Sequence, residues 1–211
     1  MKTIAVIDYG LGNLFSVKNA LEKVGANVII TNEYELIRSS DAIILPGVGS
    51  FKQAMANILS QKIDRVIKEF NNENKPIFGV CLGFQLLFES SSEHDFTRGL
   101  GLLPGEVVSI RKFDNKLISP SIGWSKIILK NQNSDSIFRN LSSKYMYFVH
   151  SYFVSSTNDY TSSYYGYGSL KIMSSVRNDN IYGTQFHPEK SGKQGLQVYK
   201  NFIDNIKKGF K

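Results

Sequence analysis

The sequence has little cysteine and no long hydrophobic run, and each shortage excludes a class of protein. One cysteine, Cys81, stands among 211 residues, so an intramolecular disulfide and a cysteine-rich zinc site are excluded. No apolar run approaches the roughly 20 residues that a membrane-spanning helix needs. Residues 1–8 lack the basic start and long apolar core of a signal peptide. We therefore expect a cytoplasmic protein that does not associate with membranes.

The remaining composition is that of an ordinary folded protein. Hydrophobic residues make up 42% and charged residues 20% of the chain, which excludes disorder, collagen and a coiled coil. The length suits one domain, and we expect a single domain over residues 1–211. The net charge is +7, but the basic residues are scattered and no RNA-binding aromatic motif occurs. The charge favours a solvated surface, with an acidic protein as the alternative partner, over nucleic acid.

The order of apolar runs and helical patterns predicts the fold class. Short apolar strands alternate with helical patterns at the start of the chain, with strands expected at 3–7, 27–31, 41–45 and 77–80. This alternation is typical of an α/β domain with a parallel sheet. After about residue 99 the segments become strand-like and turn-punctuated, which indicates antiparallel or mixed strands at one edge of the same sheet. The predicted fold is therefore α/β, with a central, mostly parallel sheet, flanking helices and added antiparallel edge strands.

The most informative motif lies between the fourth predicted strand and a helical pattern over 82–88. It is Gly79-Val80-Cys81-Leu82-Gly83, a nucleophile elbow with cysteine in place of serine. Glycines suit this strained turn, since side chains beside the nucleophile would clash. A helix N-terminus favours the thiolate and leaves the Leu82 N–H free for an oxyanion. The alternative is a buried cysteine that acts as a small hydrophobic residue.

A thiolate nucleophile needs an acid or a base nearby, and the chain has three histidines. His94 lies in a polar loop, where it is expected to be solvated. His150 lies in a strand pattern, where a hydrogen-bonded core histidine is the usual interpretation. His187 follows a predicted strand and precedes a proline, which favours extended backbone. Glu189 lies two residues on, so its carboxylate can orient the imidazole. We predict a catalytic triad of Cys81, His187 and Glu189.

A glycine-rich segment, Leu45-Pro46-Gly47-Val48-Gly49, follows the third predicted strand. Loops after neighbouring parallel strands meet at the carboxyl edge of the sheet, so this segment is expected near the elbow. Backbone N–H groups of Val48 and Gly49 can then complete an oxyanion hole with that of Leu82. An ordinary glycine turn is the alternative.

These motifs together resemble those of the class I, triad-type glutamine amidotransferases, through residues 79–85 and 186–189. Segments 7–14, 45–49, 147–152 and 185–191 are similar to the glutaminase subunits of imidazole glycerol phosphate synthase, of histidine biosynthesis. The resemblance implies that Cys81 attacks the carboxamide of glutamine and that His187, held by Glu189, protonates the departing ammonia and then activates water. No metal or other cofactor is implied. The residues implied to hold glutamine are Gln85, Glu93 and the backbones of Gly49, Ser151 and Tyr152.

The resemblance also implies a partner, a (β/α)8-barrel cyclase that receives the ammonia and makes imidazole glycerol phosphate and AICAR. The residues that match its docking face are Asn13, Trp124, Tyr147 and Lys190. Aromatic residues suit such an interface, although core packing is the alternative for Trp124 and Tyr147.

One segment departs from the family pattern. Residues 120–125 read PSIGWS, where the family usually has Pro-His-Met/Ile-Gly-Trp-Asn, so Ser121 and Ser125 replace His and Asn. Because this segment is expected at the docking face, the departure leaves an alternative partner open, a sugar-amidating enzyme of surface polysaccharide or flagellar glycan synthesis. An inactive binding module and a cysteine peptidase of similar architecture are less favoured, since the triad and the glutamine-site residues are intact.

Overall fold

A computed structural model describes residues 2–130, 136–156, 158 and 160–208. The terminal residues of the expected domain 1–211 lie outside this part. The helices in it are α1 (Leu14–Lys23), α2 (Tyr34–Ser39), α3 (Phe51–Ser60), α4 (Ile63–Asn72), α5 (Leu82–Leu86), α6 (Ile110–Phe113) and α7 (Gly192–Lys208). The strands are β1 (Thr3–Ile7), β2 (Asn27–Thr31), β3 (Ala42–Leu45), β4 (Ile77–Val80), β5 (Phe88–Ser91), β6 (Thr97–Arg98), β7 (Leu103–Ser109), β8 (Ser121–Lys126), β9 (Ile128–Leu129), β10 (Tyr145–His150), β11 (Tyr152–Ser155), β12 (Thr161–Tyr167), β13 (Leu170–Asn178) and β14 (Ile181–Thr184).

The largest sheet has the strand order β2-β1-β3-β4-β14-β13-β12-β9. The first five strands of that order are parallel, and the last three are added antiparallel. The predicted α/β class with a mostly parallel sheet and antiparallel edge strands is therefore confirmed. A late strand, β14, pairs with β4 so that Thr184 lies opposite Val80. Both strands therefore end at the same edge of the sheet, which places the segments that follow them side by side.

Side-chain alternation in the parallel strands buries both faces of this sheet. In β1, Ile4 and Val6 pack into one core cluster, with residues of α1 and α7, whereas Ala5 and Ile7 pack into the other, with residues of α3 and α4. Apolar residues on both faces explain why these strands read as continuous hydrophobic runs. Among the described residues, no helix is long and apolar enough to cross a membrane.

Three sequence-based expectations about the segments after β4 were wrong. The later strands do not all join the main sheet, because β8 and β10 form a separate two-stranded sheet and β11-β7-β5-β6 form a four-stranded one. The strand pattern around His150 extends over residues 145–154 and predicts one strand, but the strand breaks at Ser151 and its two halves enter different sheets. The expected helix over 82–88 ends at Leu86, and Phe88 begins β5. A strand pattern reports which residues face inward, but it does not specify the partner strand.

Candidate active site

Cys81 occupies a strained turn between β4 and α5. Its backbone angles are φ 53° and ψ −107°, a left-handed conformation that non-glycine residues rarely adopt. Glycines are required on both sides: a Cβ at Gly79 would lie 2.6 Å from the Phe84 Cα, and one at Gly83 would lie 1.8 Å from the Leu45 carbonyl oxygen. The predicted elbow is present, and it presents the thiol at the carboxyl edge of the sheet.

His187 and Glu189 lie beside the elbow because β14 is the neighbour of β4. The Nδ1 atom of His187 lies 2.7 Å from the Oε1 atom of Glu189, and both side chains are only 2% exposed. The other ring nitrogen, Nε2, is buried and has no hydrogen-bond partner within the described part of the chain. His187 and Cys81 line the same cleft. The three residues of the predicted triad are thus brought together at one site.

The charges around His187 favour its protonated form. Burial by itself lowers the pKa of an imidazole, but the Cys81 thiolate and the Glu189 carboxylate outweigh this effect and raise the pKa of His187 to about 10. The side chain is therefore a proton donor at neutral pH when the thiolate is present.

His150 lines the same cleft but has neutral partners. Its Nδ1 atom lies 2.8 Å from the Tyr152 carbonyl oxygen, and its Nε2 atom lies 2.7 Å from the Tyr165 hydroxyl. A carbonyl oxygen only accepts, so Nδ1 carries the proton and Nε2 accepts from Tyr165. Burial is the main cause that lowers the pKa of His150, to about 4. The hydrogen bond to the Tyr152 carbonyl raises this pKa, and the nearby positive charge of His187 lowers it further. The expectation of a hydrogen-bonded core histidine agrees with this arrangement.

The glycine-rich segment after β3 packs directly against the elbow. A Cβ at Gly47 would lie 2.6 Å from the Gly83 nitrogen and 2.7 Å from the Leu82 Cβ, so only glycine permits this approach. Val48, Gly49 and Leu82, the three residues predicted for the oxyanion hole, all line the cleft. The buried Tyr9 hydroxyl donates to the Pro46 carbonyl and holds the start of this segment. Sequence reasoning did not predict this role of Tyr9. The one available signal was the position of Tyr9 in the loop directly after β1.

The cleft has a volume of about 420 Å³ and contains all five residues predicted to hold glutamine, namely Gly49, Gln85, Glu93, Ser151 and Tyr152. Glu93 accepts a 2.7 Å hydrogen bond from the Phe51 nitrogen at the start of α3, which fixes its carboxylate. The Nε2 atom of Gln85 donates to the Tyr152 carbonyl (2.8 Å) and to Oε1 of Gln185 (2.9 Å). Gln185 is a buried polar residue next to Cys81 that sequence reasoning did not single out.

Of the residues predicted for the docking face, Lys190 lines the cleft, Trp124 and Tyr147 lie on the β8–β10 sheet, and Asn13 lies at the start of α1. Trp124 is 55% exposed and meets the half-buried Tyr147 edge to face at a centroid distance of 5.9 Å, so core packing is excluded for Trp124. Lys190 is exposed and lines the cleft. Asn13 is exposed and caps α1 through its side chain. The His187 N–H donates to the Tyr147 carbonyl, which joins this face to the site.

The side chain of Ser121 does not lie on the docking face, contrary to expectation. Alternation along β8 turns Ile122 and Trp124 outward and buries Ser121, whose Oγ lies 3.3 Å from the Tyr165 hydroxyl. Ser125 is opposite the buried Met146 and is itself half-buried. The departure from the family pattern therefore changes the interior face of this strand and leaves the outer face unaltered.

Comparison with known proteins identifies the family. Residues 5–206 match the family model described as glutamine amidotransferase class-I, so the chain belongs to this family, as predicted. Two relatives are named imidazole glycerol phosphate synthase subunit HisH. The one from Methanosarcina acetivorans is 46% identical over 207 residues, which cover 97% of this chain and 99% of the relative. The one from Listeria monocytogenes serotype 4b is 40% identical over 204 residues, which cover 97% and 96%. The predicted resemblance to this subunit is confirmed.

Solved structures show the same fold. A structure of PurLQS from Thermotoga maritima superposes with a TM-score of 0.75 at 24% identity, over 98% of this chain and 100% of that chain. The glutaminase domain of CTPS from Trypanosoma brucei, with bound acivicin, gives a TM-score of 0.69 at 17% identity, over 99% and 94%. At such identities the likeness concerns the fold alone.

Proposed function

We propose that this chain is a single-domain glutaminase that hydrolyses glutamine to glutamate and ammonia, and that it is the glutaminase subunit of an imidazole glycerol phosphate synthase in histidine biosynthesis. One observation carries the chemistry: a thiol on a strained elbow shares a cleft with a buried imidazole whose far nitrogen bonds a carboxylate at 2.7 Å. The names of the relatives support the pathway. We further propose that it acts in the cytoplasm, where glutamine and biosynthetic intermediates are found.

In the first half of the proposed reaction, glutamine transfers its glutamyl group to Cys81 and releases ammonia. The Cys81 thiolate attacks the carboxamide carbon, and a carbon–sulfur bond forms while the carbonyl oxygen becomes an oxyanion. The backbone N–H groups of Leu82, Val48 and Gly49 are the donors available to that oxyanion. His187, protonated because two negative groups surround it, gives its proton to the amide nitrogen. The carbon–nitrogen bond then breaks, and ammonia leaves with a thioester on Cys81.

In the second half, water releases glutamate. Neutral His187 takes a proton from a water molecule, whose oxygen attacks the thioester carbon and forms a second oxyanion. The carbon–sulfur bond breaks, glutamate departs and the thiolate is restored beside protonated His187. Glu189 keeps the imidazole in one orientation through both steps and stabilises its positive charge.

The cleft supplies charge and polar groups suited to the amino-acid end of glutamine. The Glu93 carboxylate is held by the Phe51 N–H, and we assign it to the substrate ammonium group. Gln85 lines the cleft from α5, and its side-chain nitrogen donates to the Tyr152 carbonyl and to the side-chain oxygen of Gln185. The backbones of Gly49, Ser151 and Tyr152 complete the proposed glutamine site.

The direct test is release of glutamate and ammonia from glutamine by the purified protein and by its Cys81→Ala variant. Because the substitution removes the nucleophile and adds little strain at the elbow, we expect a folded variant whose rate falls by several powers of ten. A glutamine-like electrophile should label Cys81 and block activity. Residual hydrolysis within tenfold of the unsubstituted protein would reject the assignment.

We propose that the ammonia passes to a (β/α)8-barrel cyclase docked over the face formed by Asn13, Trp124, Tyr147 and Lys190. The support is local: the exposed Trp124 packs against the half-buried Tyr147, and the Tyr147 carbonyl accepts a hydrogen bond from the His187 N–H. A partner bound there can shift the site toward its competent arrangement, so we expect hydrolysis to be slow alone and to rise sharply on binding.

This partner proposal is tested by mixing the chain with the cyclase of the histidine pathway and, separately, with a sugar-amidating enzyme encoded nearby. Trp124→Ala and Lys190→Ala should weaken association and stimulation more than unstimulated hydrolysis. Lys68→Ala, at an exposed lysine on α4, is the control. Stimulation by the sugar-amidating enzyme alone would replace the cyclase as partner, and full activity without stimulation by either would indicate a free-standing glutaminase.

A further inference from the structure

A buried amide, Gln185, faces the sulfur of Cys81. It lies between the end of β14 and His187 and is fully buried, and its backbone N–H donates to the Ser174 carbonyl at 2.9 Å. Its side-chain Nε2 atom lies 3.8 Å from the Cys81 Sγ atom, within the range of an N–H···S contact. Its Oε1 atom accepts a hydrogen bond from Gln85.

The orientation of this amide follows from a chain of contacts. The Tyr152 carbonyl can only accept, so the Gln85 group that lies 2.8 Å from it must be the NH₂. The same NH₂ lies 2.9 Å from Gln185, so the Gln185 atom there must be the oxygen. The Gln185 NH₂ therefore points at Cys81. His150 holds the carbonyl that starts this chain through its own Nδ1–H at 2.8 Å.

The Cys81 sulfur has a hydrogen-bond acceptor, the Val149 carbonyl, and a hydrogen-bond donor, the Gln185 amide, as neighbours. The Val149 carbonyl oxygen lies 3.8 Å from Sγ and accepts from the thiol, so its dipole favours the protonated form. A donor on the other side favours the thiolate, and in a buried site such a contact is little screened by water. Gln185 supplies that donor from the protein itself, independently of the charge of His187.

We propose that Gln185 is a further catalytic residue, which donates an N–H to the Cys81 thiolate, and that Gln85 positions it. The inference rests on the proposed function in that it takes Cys81 as the nucleophile. It also gives Gln85 a role that does not depend on bound glutamine.

The test is the rate at which iodoacetamide alkylates Cys81 in the absence of glutamine, and a single cysteine makes the reaction unambiguous. Gln185→Met keeps the length of the side chain and removes the donor. We expect its alkylation rate at pH 7 to fall by about tenfold, because hydrogen bonds to charged groups are among the stronger ones. At pH 10, where thiols ionise in every variant, the rates should converge.

Gln85→Met tests the positioning role. With no glutamine present, a residue that only binds substrate would leave the alkylation rate unchanged, whereas loss of the support for Gln185 should lower it by about threefold at pH 7. The matched control is Gln197→Met on α7, where the amide donates to Asn201, and its rate should equal that of the unsubstituted protein.

An unchanged rate at pH 7 in folded Gln185→Met overturns the proposal. An equal fall at pH 7 and pH 10 also overturns it, since that pattern reports altered access to the thiol. Should Gln185→Met fail to fold, Gln185→Asn, which withdraws the amide by one carbon, is judged by the same two rates. The alkylation assay needs no turnover. Absence of glutamine hydrolysis in the unsubstituted protein would therefore reject the proposed function, while the alkylation rates would still decide whether Gln185 donates to the thiolate.

Discussion

His150 and His187 lie in the same cleft, but their surroundings favour the neutral form of His150 and the protonated form of His187. Both imidazoles are buried, both line one cleft, and both have an oxygen within 2.8 Å of Nδ1. For His150 that oxygen is a carbonyl and the other nitrogen accepts from a hydroxyl, so the ring is neutral, with a pKa of about 4. For His187 the partners carry negative charge, and its pKa is about 10. Burial alone thus does not set the charge of a histidine, whereas the charge of its partners does.

Among variants of the two histidines and of Glu189, the largest effect should come from His187→Asn, which removes the proposed proton donor and leaves the elbow intact. General acid–base catalysis contributes about 10²–10⁴-fold, so we expect kcat to fall by roughly 10³-fold. Steady-state glutamate release measures it. If His150→Asn proved more damaging to kcat than His187→Asn, the assignment of the two histidines would be reversed.

Glu189→Gln should fall between the two histidine variants. The amide keeps the shape of the side chain but removes the negative charge that holds the imidazole through its 2.7 Å contact. We expect a fall in kcat of about 10²-fold, because a residue that orients a base is often less costly to lose than the base itself. A rate equal to that of the unsubstituted enzyme would show that the carboxylate does not contribute to catalysis.

His150→Asn should have a milder effect, and on a different constant. Its loss frees the Tyr152 carbonyl that anchors Gln85, so we expect kcat/KM to fall by about tenfold, mainly through a higher KM. Kinetics at several glutamine concentrations separate the two constants. A fall confined to kcat would place His150 in the chemical step.

The comparison also predicts how stability depends on pH. The pKa of His150 in the folded protein, about 4, lies below that of an unfolded histidine, about 6.5, so the unfolded state binds more protons between these values. Stability from this residue is full above pH 6.5 and is lost as the pH falls toward 4, by about 1 kcal/mol between pH 6.5 and pH 5.5. The raised pKa of His187 acts in the opposite sense, with stability full below pH 6.5 and lost as the pH rises toward 10.

Urea unfolding at pH 6.5 and pH 5.5 measures this loss, with His150→Asn as the comparison. The variant should lose less stability over that interval than the unsubstituted protein, because its side chain does not titrate there. Equal losses in both proteins would show that other groups cause the acid sensitivity.

Local pattern in the sequence was sufficient for the elbow and for the pairing of His187 with Glu189. Gly79 and Gly83 flank a cysteine at a strand-to-helix transition. A side chain at either position would clash with neighbouring backbone, so this pattern of glycines is typical of the elbow conformation. Glu189 is two residues from His187, so an extended backbone is enough to bring the two side chains together. The alternation of strands and helices likewise predicted the parallel sheet. These features can be recognised from residues close in the chain, even though the contact that requires glycine at position 83 is with the distant Leu45.

The sequence by itself therefore predicted the nucleophile and its partners and determined the fold class, whereas the tertiary structure alone decided how the surrounding polar groups are arranged. Gln85 and Gln185 are 100 residues apart and meet only because β14 pairs with β4. The hydrogen-bond contact of Ser121 and the neutral state of His150 depend in the same way on Tyr165, which lies on β12 of the main sheet. The physical reason is that periodicity specifies which face a side chain occupies, while its hydrogen-bond partners and their charge depend on which distant strand becomes its neighbour.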